Sequence, residues 1–184
     1  MMQIRIGQVL LIICCVFYLV WWCVAFHPAH GDNHTSGVDG LLLIVTALFG
    51  LGGVAINLIG IRDSGADTGF ISGGMIAVIA IIVYVVLLFG TRIFFHRQVT
   101  TELLLIVGWA ALMVSSINTV YALEQITMDK VIVMLAIIGV AAALSFVFYM
   151  MYYNVPPMRG YVYGMIPLIT EAVSMAAFLA AIGR

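Results

Sequence analysis

Three sets of residues in this chain have types and spacing that could do chemistry. The first is a single carboxyl, Glu171, in the middle of the apolar stretch YVYGMIPLITEAVSMAAFLAAIG. An ionisable group at membrane depth is expensive and as a rule faces a bundle interior or a water-filled cavity. Burial disfavours the charged form of any carboxyl unless a donor or cation holds it, so such a residue suits a proton or cation site. Pro167 lies one helical turn earlier, and its missing N–H predicts a bend there. The second set is the neutral polar residues Asn57, Tyr84, Ser115, Asn118 and Ser145, which share helix faces with glycine and alanine. They are candidates either to line a polar cavity with Glu171 or to serve as hydrogen-bonding glue between helices. The third is the run His27-Pro-Ala-His30-Gly-Asp32-Asn-His34. Neutral imidazoles with a carboxylate suit a divalent transition metal such as zinc, copper or nickel, while Pro28, Gly31 and Asp32 equally suit a plain turn.

The elements that must position these residues follow from composition. Of the 184 residues, 65% are hydrophobic and only 8% charged, against about a quarter charged in soluble domains. Lipid is therefore the solvent for most of the chain. Six stretches of spanning length are expected at 6–26, 41–61, 70–89, 103–123, 131–152 and 161–182: an all-α polytopic membrane protein, one transmembrane domain over residues 1–184, folded as a compact bundle of six helices. The first stretch is too long for a signal-peptide core and carries Trp21 and Trp22 at its end, so it reads as a retained helix. The three cysteines, Cys14, Cys15 and Cys23, fall inside it and read as buried apolar residues. Helix two has Gly50, Gly53, Asn57 and Gly60 on one face, helix four Gly108, Ala111, Ser115 and Asn118. Small faces of this kind let helix backbones approach in lipid.

An even number of spans puts both termini on one side. Arg5, Arg62, Lys130 and Arg184 fall on that side and Arg92, Arg97 and Arg159 on the other, which orients both termini toward the cytoplasm; a bacterial cytoplasmic membrane is the expected location. The repeat of LLLIV at 41–45 and 103–107 is short enough to arise by chance in so apolar a chain.

A formal net charge of −1 and the absence of basic runs set nucleic acid aside. No nucleotide, hydrolase or metalloprotease motif is present, and the chain does not read as an enzyme. In size and six-helix layout it is similar to the small substrate-binding subunits of energy-coupling vitamin transporters, although CVFYLVWWCVAF is bulky where those subunits carry small residues in the first helix. Three functions remain. One is a small-solute or ion transporter, or a substrate-binding transport subunit, with a polar cavity around Glu171. The second is an accessory or scaffolding subunit that uses its glycine-rich faces to hold a partner membrane subunit or a second copy. The third is a metal-dependent membrane protein using His27, His30 and His34, with a divalent transition metal as cofactor.

Overall fold

An apolar chain in lipid has no water to satisfy its amide groups, so each stretch must hydrogen-bond within itself as a helix. The computed structural model describes residues 1–26, 37–65, 69–96 and 100–183. Among them every regular element is a helix: α1 (Met2–Ala25), α2 (Gly37–Asp63), α3 (Gly73–Phe95), α4 (Thr101–Ala122), α5 (Met128–Tyr152) and α6 (Pro157–Ile182). At 1.5 Å per residue even the shortest, α4 with 22 residues, reaches about 33 Å, enough for a hydrocarbon core of about 30 Å. All six are long and apolar enough to cross a membrane, which makes the chain an integral membrane protein built as a compact helical bundle.

The expected spans hold, with shifted ends. Helix three starts at Gly73 rather than residue 70, because residues 69–72 are held away from the helix by two bonds to the Asn118 side chain. Its amide donates to the Ile71 carbonyl at 2.8 Å and its oxygen accepts from the Ile71 N–H at 3.2 Å. Ser72 then caps α3 by accepting from the Met75 N–H, one of the orphan donors that a helix start leaves. At the far end α3 runs on to Phe95 and closes at His96, whose φ of 51° is the left-handed conformation of a helix stop. Helix six starts at Pro157, where a residue without an N–H is at no disadvantage.

Helices α1, α2, α4, α5 and α6 pack side by side in a closed ring, α1 against α2 most closely, and α3 lies outside against α4. The most apolar stretch of α4 is 56% buried against 6% for α3, so α4 is a core helix and α3 is nearly bare to lipid. The α1–α2 seam rests on glycine. A Cβ on Gly7 would stand 2.8 Å from the Asn57 backbone nitrogen, and one on Gly53 or Gly60 would meet Leu11 or Ile4 at 2.9 Å. The glycine face of α2 is thus taken up by α1. On the face of the bundle that carries the termini, the Arg5 guanidinium donates to the Ile182 carbonyl at 2.6 Å, a cation at a helix C-terminus. On the opposite, loop face, the Trp22 indole donates to the Tyr161 carbonyl at 3.0 Å. These two bonds pin α1 to α6 at both ends.

Candidate functional site

Helix six carries its carboxyl just beyond an interrupted turn. Pro167 has no N–H to offer the Tyr163 carbonyl, yet α6 runs unbroken from Pro157 to Ile182. One turn on, the Thr170 hydroxyl bonds back to the Ile166 and Pro167 carbonyls at 3.0 and 2.9 Å. Glu171 follows, partly covered, with its backbone carbonyl accepting from the Ser174 hydroxyl at 2.7 Å.

Its side chain points into the seam between α6, α5 and α1. The Ser145 hydroxyl of α5 lies beside the carboxyl, and Cys14 and Cys15 of α1 lie close enough to feel its charge. Ser145, fully buried, is also 3.2 Å from the Thr170 hydroxyl. Among the described residues no cationic side chain meets the carboxyl. A carboxyl so placed, with one hydroxyl beside it and soft apolar neighbours, can hold a proton or accept a small cation.

The other polar residues singled out by the sequence fall into separate groups. Asn57 joins a fully buried cluster across α1, α2 and α4: its oxygen accepts from Ser116 at 3.0 Å, and the Ser116 hydroxyl oxygen accepts from the Gln8 amide at 3.3 Å. The cluster leaves one acceptor, Gln8 Oε1, and one donor, Asn57 Nδ2, without a partner. Asn118 is committed to Ile71, as described above. Ser115 is half-buried, and its carbonyl accepts from the Thr119 hydroxyl at 2.9 Å. Tyr84 of α3 makes a long contact, 3.5 Å, to the Thr100 carbonyl near the loop face. Glu171 and Ser145 are therefore brought together, while Asn57, Tyr84, Ser115 and Asn118 stand apart from them. Gln8 and Ser116 were missed, although a lone amide one turn into an apolar helix was a visible signal.

A second carboxylate was also missed. Glu102 sits in the first turn of α4, where a negative charge suits the helix dipole. Tyr149, near the end of α5, lies beside it, and the Tyr149 and Tyr153 hydroxyls are hydrogen-bonded to each other. Tyr18 of α1 lies within electrostatic reach of Glu102. Glu102 is partly covered, with Tyr149 and Tyr18 close by.

His27, His30 and His34, with Asp32, lie outside the described residues. Among those described, no three of His, Cys, Asp and Glu cluster as metal ligands would. The described part contains a polar and an apolar cavity. A polar recess of about 390 Å³ at the α4–α5 turn is lined by Glu124, Gln125 and Lys130 among others. An apolar groove of about 510 Å³ runs between α3, α4 and α5, from Phe70 to Phe146. Glu171 lines neither of them. No family model, curated protein or solved structure matches the chain.

Proposed function

We propose that this integral membrane protein is a small-solute or ion transporter, or the membrane subunit of one, in which Glu171 takes up and releases a proton or cation at mid-membrane. The observation that carries the reading is the setting of Glu171: a carboxyl at residue 15 of the 26-residue α6, turned into an inter-helix seam with the Ser145 hydroxyl beside it and no described cation to neutralise it. Ordinary packing needs do not call for a carboxyl there, because a leucine or serine would fill the seam without the desolvation penalty. Pro167 adds a turn of α6 with one backbone bond fewer beside the carboxyl, a point at which the helix can flex as the group changes charge.

The test is charge displacement in protein reconstituted on a supported membrane after a jump in proton or sodium concentration. The parent is expected to give a transient current, and Glu171→Gln, which keeps size and hydrogen bonding, is expected to give none while melting at the parent temperature. A full-size current in the variant defeats the proposal.

A second reading, an accessory subunit that holds a partner, is favoured by α3. The glycines of α2 that suggested a partner are occupied by α1, whereas α3 presents almost its whole surface beside the apolar groove. Co-purification of a stoichiometric membrane partner, lost when bulky residues fill the groove at Ala80 and Ala111, would favour that reading.

A further inference from the structure

The polar groups around Glu171 are not spread evenly through the membrane. Ser145 and Tyr149 stand four apart on one face of α5, and Tyr153, which caps the helix, follows after four more. Ser145 lies beside Glu171, Tyr149 lies beside Glu102, and the Tyr149 and Tyr153 hydroxyls are hydrogen-bonded. Eight residues at 1.5 Å make this hydroxyl row about 12 Å long, running from Glu171 toward the loop face.

Helix one faces the same row. Cys14 and Tyr18 are also four apart, and Tyr18 lies within electrostatic reach of Cys14, Glu102, Tyr152 and Tyr153. Helix four adds Trp109, seven residues beyond Glu102 and so on its face about 10 Å deeper. The Trp109 indole N–H is buried and has no partner, and a buried donor in that state calls for a water molecule or a bound solute.

Toward the terminal face the same surfaces are largely apolar. The buried stripe of α5 continues from Ser145 as Ala141, Ile138, Met134 and Val131. Met175, Phe178 and Ile182 continue it on α6, and Leu11 and Ile4 on α1, all in one apolar cluster. The Gln8, Ser116 and Asn57 group lies in that half but belongs to the α1–α2–α4 contact, and Leu11 occupies the turn of α1 between Gln8 and Cys15.

We propose that Glu171 exchanges a proton with the loop face alone, through the Ser145–Tyr149 row of α5, and that Glu102 is the outer proton site of this path. The inference rests on the proposed role of Glu171 and names the side from which that site is served. The seam coincides with neither cavity, and its spacing suits hydroxyl-to-hydroxyl transfer better than passage of a hydrated ion. A proton leaves the Glu102 carboxyl and one arrives on the Glu171 carboxylate. Each hydroxyl or bridging water between them gives up one proton as it accepts another, so no group is left changed.

Among the described residues, Cys14 and Cys15 from α1, Ser145 from α5 and Thr170 on α6 lie around Glu171. Tyr149 from α5 and Tyr18 from α1 lie near Glu102, with Tyr153 bonded to Tyr149.

The experiment is a pH jump applied to either face of the full-length protein in vesicles sorted by orientation, read as charge displacement. The current is expected on a loop-face jump and absent on a terminal-face jump. Tyr149→Phe should slow it at least about tenfold, as loss of a proton-transfer group does, while Tyr121→Phe at the terminal face keeps the parent rate. If Tyr149→Phe does not fold, Glu102→Gln carries the same expectation. An equal or larger current from the terminal face, or a variant rate equal to the parent, overturns the path and leaves Glu171 as a site. No parent current from either face defeats the proposed function and the path with it.

Discussion

Gly7→Ala puts the close α1–α2 backbone contact under test. The added Cβ would stand 2.8 Å from both the Cβ and the backbone nitrogen of Asn57 and 2.9 Å from the Gly53 carbonyl oxygen. None of these atoms can swing aside. Carbon contacts relax at about 3.5 Å, so α1 and α2 must part locally by roughly 0.7 Å. Asn57 moves with α2, and its 3.0 Å bond from Ser116 is stretched toward the limit of a hydrogen bond. Overpacking of this kind costs about 1–3 kcal/mol, offset by up to about 1 kcal/mol from the better helix propensity of alanine. The expected net loss is about 1–2 kcal/mol. Gly52→Ala is the matched control, because a Cβ there meets nothing within 4 Å; it should be neutral or stabilising. Both variants are compared with the parent by reversible unfolding in mixed micelles. Equal stability of Gly7→Ala and Gly52→Ala refutes the close α1–α2 packing.

Asn118→Ala removes both bonds to Ile71 and is expected to cost about 1–3 kcal/mol and to speed hydrogen exchange at the Ile71 amide; unchanged exchange counts against the anchoring role. Gly164→Ala drives a methyl into the Trp22 ring and breaks its bond to the Tyr161 carbonyl, so indole fluorescence should shift and stability fall by about 1–3 kcal/mol. For the histidine run, zinc binding to the parent, absent in a His27, His30 and His34 triple alanine variant, is the expected outcome of a calorimetric titration. Metal needs neutral imidazole and protons compete for it, so affinity should be lost as pH falls through about 6.5. Equal zinc uptake by the two proteins disposes of the metal reading.

The six spans were legible because hydropathy and length alone decide what crosses a bilayer, and short connections leave the chain few choices. The ends were less so: Phe70 and Ile71 look like the start of α3, and the Asn118 side chain, 47 positions away from Ile71, together with the Ser72 cap, keeps them out of the helix. Glu171 and Ser145 could be named in advance because each is a polar residue among apolar ones. Their pairing could not, since the sequence gives a face of each helix but not which neighbour that face meets. Asn57, Ser115, Asn118 and Tyr84 failed to gather around Glu171 for the same reason, and the ring order of the helices sends each to a different seam. Glu102 escaped notice because a carboxylate in the first turn of a helix, next to a loop, is normally solvated. Only the fold shows that Tyr149 arrives from α5 beside it.

The central claim, that Glu171 is a working proton or cation site, is most directly tested by infrared difference spectroscopy of the protein in lipid bilayers. The parent should show a protonated-carboxyl band that fades as pH is raised and is missing from Glu171→Gln, with helix content and melting temperature unchanged between the two. A spectrum identical in parent and variant, or a Glu171 band that ignores pH over the whole range in which the protein stays folded, would contradict it and leave Glu171 as helix-to-helix glue.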